Sequence, residues 1–236
     1  MTQNTTSMSM GCKKPIKIDI VCGFRGSGKT TLIKRMAEEI WEGENIVFLQ
    51  NESGHEKLSR VSESSGCQVI EVQKGCICCT GAQLMIQTIL EVVKEYQPDR
   101  IILEAAETAR IGSLRSMLSQ EMEDTYQLDH VLYVCNIKNY HIKMLISGNY
   151  FENELRQAPV IFLNHMNELE KEEGDKILKS LKEISPESTI VKEDWKIMKP
   201  EELRAAYENG KIASVDRKEN RKSVYAKINY KGYRSR

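Results

Sequence analysis

The sequence contains no apolar run that approaches the roughly 18 to 20 residues needed to cross a bilayer. It also has no net charge, because 34 basic side chains balance 34 acidic ones among its 236 residues. This balance gives no global attraction to nucleic acid or to a membrane surface. We therefore expect no membrane and no nucleic acid among its partners. The basic stretch after Lys211 is interpreted as a solvated tail.

The N-terminus also lacks the apolar core of a secretion signal. Residues 1–14 are MTQNTTSMSMGCKK, a polar segment that predicts a disordered leader and a cytoplasmic protein. In that reducing compartment, the seven cysteines are not expected to form a disulfide framework.

Short apolar segments alternate with helical ones from Ile16 onward. This alternation predicts an α/β fold with a mostly parallel central sheet flanked by helices. We assign residues 15–200 to one nucleotide-binding domain and residues 201–236 to a short C-terminal extension. The predicted strands contain, in chain order, IKIDIVCG, NIVFLQN, CQVIEVQ, DRIILEA, HVLYVCN, APVIFLNH and STIVK.

Residues 23–30, GFRGSGKT, fit the phosphate-loop pattern G-x-x-x-x-G-K-[ST] without a mismatch. The motif lies between an apolar strand and an amphipathic helix, where the backbone N–H groups can hold phosphate anions. Lys29 is expected to reach the β- and γ-phosphates, and the Thr30 hydroxyl to ligate Mg²⁺. An incidental glycine-rich turn is the alternative. The predicted nucleotide-binding residues here are Gly23, Arg25, Gly26, Ser27, Gly28, Lys29, Thr30 and Thr31.

A second motif, KGCICCTG at residues 74–81, places Cys76, Cys78 and Cys79 within four positions. Thiolates bind Zn²⁺ and other borderline or soft metal ions, so we predict a transition-metal site. Burial of some thiols as small apolar groups, or a redox-active pair at Cys78 and Cys79, are the alternatives. A fourth ligand would be water, a partner's side chain, or one of Cys67, His55 and Glu52.

The combination of GFRGSGKTTL, QNESG and KGCICCT resembles CobW-type metallochaperone GTPases, relatives of the UreG and HypB accessory proteins. The resemblance covers roughly residues 16–190. It implies a P-loop fold of the signal-recognition-particle and MinD (SIMIBI) class. It also implies GTP hydrolysis coupled to the insertion or allocation of zinc, cobalt or nickel, with a client metalloprotein as partner. Some members dimerise through nucleotide or metal, so a homodimer is a further expectation.

The resemblance also implies roles for individual residues. It assigns catalytic roles to Lys29, to Glu52 of the N-E-x-G motif and to Glu104, an acid at a strand end near Mg²⁺ and the attacking water. Asn164 matches the first residue of the guanine-reading motif N-K-x-D, and Cys76, Cys78 and Cys79 match the metal ligands. The implied cofactors are GTP or another purine nucleotide, Mg²⁺, and Zn²⁺, Co²⁺ or Ni²⁺.

Two motifs depart from the family pattern. In AAETAR, Glu107 takes the place of a glycine that senses the γ-phosphate, and its acid is expected to repel that group, with partial compensation by Thr108. In LNHMNEL, Asn167 replaces an aspartate that accepts two hydrogen bonds from guanine. The lost hydrogen bond would cost on the order of 1–3 kcal/mol, unless Glu168 supplies the carboxylate. His165 replaces the motif's lysine.

The favoured hypothesis is therefore a slow, metal-responsive nucleotide hydrolase that acts as a metallochaperone or metal-insertion accessory protein. A degenerate, non-hydrolysing nucleotide or metal sensor that docks on a partner is the main alternative. An NTPase without selectivity for GTP is another, and a kinase has no supporting signature. The C-terminal domain that CobW-type proteins usually carry is expected to be largely absent from this chain.

Overall fold

A parallel sheet organises the described part of the chain. The computed structural model describes residues 14–50, 68–71, 81–119 and 125–212. In these residues, seven strands pair in the order β3-β2-β4-β1-β5-β6-β7, and all six pairs are parallel. The predicted α/β architecture is thereby confirmed. The strands are β1 Ile16–Cys22, β2 Ile46–Gln50, β3 Gln68–Glu71, β4 Arg100–Glu104, β5 Tyr126–Asn136, β6 Val160–Asn164 and β7 Thr189–Val191.

Six α-helices in the described residues cover the two faces of this sheet. Ile18 and Ile20 of β1 face a core that also includes residues of α2, α3, α4 and α5. Val21, which points the opposite way, belongs to a core with residues of α1 and α6. Burial on both faces explains why the strands are near-continuous apolar runs. The helices are α1 Lys29–Glu39, α2 Gly81–Tyr96, α3 Ile111–Ser119, α4 Tyr140–Gln157, α5 Lys171–Ile184 and α6 Pro200–Glu208.

The sequence predicts helices that correspond to α1, α2 and α5, but it does not predict α3, α4, α6 or the first part of β5. α3 is only nine residues long, and α4 contains non-helical backbone at Ser147 (φ −133°, ψ 27°), which interrupts its apolar periodicity. β5 begins at Tyr126 rather than at the predicted His130. Its buried Asp129 breaks the apolar pattern by which a central strand is recognised.

The remaining unpredicted helix, α6, lies beyond the predicted boundary at residue 200. Leu203, Ala206 and Tyr207 are buried in the core on the α1 side of the sheet. Arg204 Nη2 donates a hydrogen bond of 3.0 Å to the carbonyl of Ile40, just after α1. The helix therefore packs on the same sheet as the rest of the described chain. No helix in the described residues is long and apolar enough to cross a membrane.

Candidate nucleotide-binding site

The glycine-rich loop between β1 and α1 has a backbone that only glycine adopts without strain. Gly23 and Gly28 have φ angles of 138° and 107°, in the region that L side chains rarely occupy. A Cβ on Gly23 would overlap the carbonyl oxygen of Val134, and one on Gly28 would lie 2.6 Å from Asn164 Nδ2. The loop therefore packs tightly against the ends of β5 and β6.

Lys29, the first residue of α1, extends back over this loop. Its side chain is buried, and its Nζ donates hydrogen bonds to the carbonyls of Gly23 at 2.9 Å and Phe24 at 3.2 Å. Thr31 follows in the same helix, and Gly26 and Arg25 are exposed at the loop surface. The ammonium group is thus held beside the loop backbone, within reach of an anion bound there.

Thr30 lies beside two polar side chains at the carboxyl edge of the sheet. Its Oγ1 donates a 2.8 Å hydrogen bond to Oε1 of Glu104 at the end of β4. Gln50, at the end of β2, donates through Nε2 to Oε2 of the same carboxylate at 3.1 Å. Hydroxyl and carboxylate oxygens are ligands that Mg²⁺ takes, so this donor set fits that ion. Gln50 was not among the predicted site residues, although its place at a strand end is a usable signal.

Glu107 follows β4 and contacts the glycine-rich loop directly. Its Oε2 accepts a 3.2 Å hydrogen bond from the backbone N–H of Arg25. The Tyr150 hydroxyl of α4 lies 2.8 Å from the Glu107 carbonyl oxygen and 3.2 Å from that of Ala109. An adjacent cavity of about 380 Å³ is lined by Phe24, Glu107, Thr108, Arg110, Lys143, Ser147 and Tyr150.

Asn164 joins the end of β6 to the glycine-rich loop. Its buried Nδ2 donates a 2.9 Å hydrogen bond to the carbonyl of Ser27. Trp195, fully buried, donates through Nε1 to the carbonyl of Leu163 at 2.9 Å. These bonds place the segments after β6 and β7 next to the loop.

In the segment after β6, the Asn167 amide bonds to a carboxylate from another segment and not to that of its neighbour Glu168. Glu168 is engaged by Lys138 at 2.7 Å and by His165, and these hydrogen bonds lower the pKa of Glu168 to about 2. Asn167 Nδ2 instead donates to Asp194 Oδ2 at 3.3 Å. Asp194 lies three residues after β7, and the sequence prediction did not include it.

Several predicted residues lie outside the described parts of the chain. They include most of the leader, the predicted catalytic residue Glu52, the cysteines of the metal motif and much of the C-terminal extension. These residues remain predictions. By number, they are residues 1–13, Glu52, His55, Cys67, Cys76, Cys78, Cys79 and residues 213–236.

A second polar cluster lies in the amino-terminal half of the sheet. Arg100 Nη1 lies 2.8 Å from Asp19 Oδ2 and 3.2 Å from Asp129 Oδ2. His130 Nδ1 lies 3.4 Å and 3.3 Å from the same two carboxylates, and its ring stacks on Tyr207 at 3.9 Å. Burial alone would raise the pKa of Asp129, but His130 and Arg100 lower it to about 2. The charges in this cluster neutralise one another.

Comparison with known proteins agrees with the loop geometry. The family model described as CobW/HypB/UreG, nucleotide-binding domain, matches residues 17–192. A zinc chaperone CobW from a Sinorhizobium species is 33% identical over 99 residues, which are 39% of this chain and 28% of that protein. The chain spans less than half of the length of the curated relatives it matches.

Solved structures show the same fold at low sequence identity. The Zn(II)-bound YjiA GTPase from Escherichia coli has a TM-score of 0.63 and 18% identity, covering 84% of this chain and 63% of that one. The cell division protein FtsY from Thermotoga maritima has a TM-score of 0.52 and 17% identity, covering 83% and 69%. The predicted α/β P-loop fold and the family resemblance are both confirmed. The chain belongs to the CobW/HypB/UreG family and contains its nucleotide-binding domain.

Proposed function

We propose that the protein is a metal-responsive P-loop nucleotide hydrolase that acts as a metallochaperone for a client metalloprotein. The observation that carries the proposal is the contact between Thr30 and Glu104 at 2.8 Å. It brings a hydroxyl and a carboxylate together beside the phosphate loop, within a chain of the CobW/HypB/UreG family. Relatives described as zinc chaperones support Zn²⁺ as the metal handled, with Co²⁺ and Ni²⁺ as the other candidates.

The proposed reaction is attack of water on the γ-phosphorus, with cleavage of the bond to the β-phosphate and release of nucleoside diphosphate and phosphate. Lys29 would hold the β- and γ-phosphates, and the loop N–H groups would orient them. Mg²⁺, held by Thr30 with Glu104 beside it, would neutralise charge that develops on the phosphates. Gln50 would fix the orientation of the Glu104 carboxylate through its 3.1 Å hydrogen bond. We expect slow turnover, because related hydrolases often need an arginine from a partner.

We propose that Asp194 reads the guanine base together with Asn167. The Asn167 amide donates to Asp194 at 3.3 Å, so a carboxylate is present although the motif position itself carries asparagine. A carboxylate can accept hydrogen bonds from guanine N1–H and the 2-amino group. Asn164 would support this segment from its bond to Ser27.

The metal half of the proposal rests on the cysteine motif. Cys76, Cys78 and Cys79 would bind Zn²⁺, and nucleotide and metal would change each other's affinity through linkage. Glu52 would lie between the two sites, by its position in the N-E-x-G motif. We further propose a cytoplasmic location and a homodimer formed with nucleotide or metal.

The test compares reduced protein with and without stoichiometric Zn²⁺, measuring GTP affinity by calorimetry and phosphate release in the presence of Mg²⁺. We expect Zn²⁺ to change both quantities, and Cys78→Ala to abolish the change while leaving GTP affinity in the metal-free protein intact. Identical GTP affinity and phosphate release with and without Zn²⁺ would contradict the proposed coupling between the two sites.

A non-hydrolysing nucleotide sensor is the second candidate. The hydrogen bond from the Arg25 N–H to the Glu107 carboxylate favours it, because an internal acid at the phosphate loop opposes a bound triphosphate. Nucleotide binding without phosphate release, with any metal or partner, would support this candidate over the hydrolase.

A further inference from the structure

The contact between Glu107 and Arg25 places an internal carboxylate on the phosphate loop. Glu107 is 82 residues away in sequence, and its Oε2 accepts a 3.2 Å hydrogen bond from the Arg25 backbone N–H. That N–H belongs to the loop whose backbone donors hold phosphates in proteins with this motif. Carboxylate and phosphate oxygens are both anionic acceptors for such donors. The side chain thus occupies a donor that a ligand oxygen would otherwise use.

The position of Lys29 indicates which phosphate this carboxylate replaces. Its Nζ lies on the carbonyls of Gly23 and Phe24, and Phe24 immediately precedes Arg25. In phosphate loops this amine contacts the β- and γ-phosphates, so the neighbouring backbone marks the outer end of the phosphate chain. A nucleoside diphosphate would leave that end unfilled, whereas a triphosphate would bring its γ-phosphate there.

The loop that carries Glu107 is held in place from the opposite side. The Tyr150 hydroxyl lies within hydrogen-bond distance of the carbonyls of Glu107 and Ala109. Tyr150 in turn packs edge-on against Phe24 of the phosphate loop, with ring centroids 6.1 Å apart. The helix α4 therefore positions both partners of the contact.

The adjacent cavity could hold the Glu107 side chain in a second position. Its lining includes two cations, Arg110 and Lys143, which lie over the rings of Tyr150 at 5.6 Å and Phe24 at 4.2 Å. A carboxylate displaced from Arg25 could pair with either cation. The Glu107 carboxylate therefore has a partner in either position: the Arg25 N–H in the first, and Arg110 or Lys143 in the second.

We propose that Glu107 is a specificity-determining residue that makes the site prefer nucleoside diphosphate over triphosphate, by holding its carboxylate where the γ-phosphate binds. This inference rests on the proposed function, since it requires a nucleotide in the phosphate loop. A triphosphate must displace the carboxylate or bind beside it, and two anions about 4 Å apart repel each other even at a protein surface. A diphosphate leaves the contact with Arg25 in place.

The experiment measures the dissociation constants of GDP and of the non-hydrolysable analogue GMPPNP by calorimetry at fixed Mg²⁺. It uses the full chain, Glu107→Gln and Glu107→Gly, with Glu187→Gln as the matched control. Glu187 is exposed and precedes β7 at the opposite edge of the sheet, so its variant makes the same charge change far from the loop. We expect tighter GDP binding in the unaltered chain. Both Glu107 variants should shift the GMPPNP-to-GDP affinity ratio at least about tenfold toward GMPPNP.

Glu107→Gln preserves the size of the side chain, so it tests the charge even if the glycine variant unfolds. An unchanged ratio, or an equal gain for both nucleotides, would overturn the inference while leaving nucleotide binding established. A shift of the same size in Glu187→Gln would also overturn it, because net charge would then account for the effect. Failure of every folded variant to bind either nucleotide would instead overturn the proposed function, and this inference with it.

Discussion

The amino-terminal edge of the sheet, where the strands begin, and the carboxyl edge, where they end, differ in the partners that surround their buried cations. At the amino-terminal edge, Arg100 contacts Asp19, Asp129 and Glu44, so its positive charge is neutralised by carboxylates of the chain itself. At the carboxyl edge, the buried Lys29 donates to two neutral backbone carbonyls. A phosphate can replace a neutral carbonyl with a full negative charge, whereas the first cluster offers no comparable gain. We therefore assign a stabilising role to the first region, and an anionic ligand remains our proposal for the second.

The largest expected effect is on the amino-terminal cluster. Arg100→Met should lower the free energy of unfolding by about 3–5 kcal/mol, because it leaves buried carboxylates without their cation. Urea unfolding followed by circular dichroism measures the change. Arg156→Met, which removes an exposed pair with Glu152, is the control and should cost about 0.5 kcal/mol or less. Equal losses in the two variants would contradict the assigned role of the cluster.

Lys29→Ala should have the next largest effect, this time on binding. If the Lys29 ammonium holds the phosphates, as we propose, its removal should weaken GDP binding by about 3 kcal/mol, or roughly 150-fold. Calorimetry gives the dissociation constant, and Lys182→Ala, at an exposed position of α5, serves as the control. GDP affinity within threefold of the unaltered chain would show that the carboxyl edge is not the phosphate site.

Asp194→Asn should have a smaller effect, limited to the choice of base. If Asp194 accepts hydrogen bonds from guanine, as we propose, losing its carboxylate should reduce the preference for GDP over ADP by about 1–3 kcal/mol. The neighbouring variant Glu193→Gln, also a change from acid to amide but at an exposed position, should leave the ratio unchanged. If both variants retain the original ratio, Asp194 does not read the base.

The smallest effect is a pH dependence of stability that comes from His130. Burial lowers the pKa of His130, but the negative charges of Asp129 and Asp19, whose oxygens lie 3.3 and 3.4 Å from Nδ1, outweigh it, and the pKa rises above its usual value of 6.5. A raised folded pKa stabilises the fold fully below pH 6.5, and this stabilisation is lost as the pH rises through the raised value. In the described part of the chain, the charged and titratable groups against this ring are Asp19, Asp129, Tyr207 and Glu208, and Arg100 pairs with the same two aspartates.

The pH effect is measured as the free energy of unfolding in urea between pH 6 and pH 9, for the unaltered chain and for His130→Gln. The decline above pH 6.5 should be shallower in the variant. Asp129 contributes at acid pH, because its pKa in the fold is lowered to about 2. Its carboxylate stabilises the fold above pH 3.8, and this stabilisation is lost as the pH falls toward 2. A decline of the same slope in both proteins would exclude His130 as its source.

The elements that the sequence predicts well are those with local signals. The strand, glycine loop and helix around GFRGSGKT follow from an apolar run, glycines that need positive φ, and an amphipathic period. The sequence does not predict α4, because non-helical backbone at Ser147 interrupts the helical period of its apolar residues. The start of β5 escaped because Asp129, a buried acid, is acceptable in a central strand only when Arg100 lies beside it.

The sequence by itself determined the phosphate loop, the parallel α/β class and the family resemblance, because each is read from short segments whose patterns are local, and none requires knowing which segments meet in space. Only the tertiary structure decided that the Glu107 carboxylate lies on the Arg25 N–H, 82 residues away. It also decided that the Asn167 amide bonds to Asp194, whereas the adjacent Glu168 pairs with Lys138 and His165. Such contacts form where the carboxyl ends of parallel strands meet at one edge of the sheet, and the strand order that brings them together is a property of the folded chain.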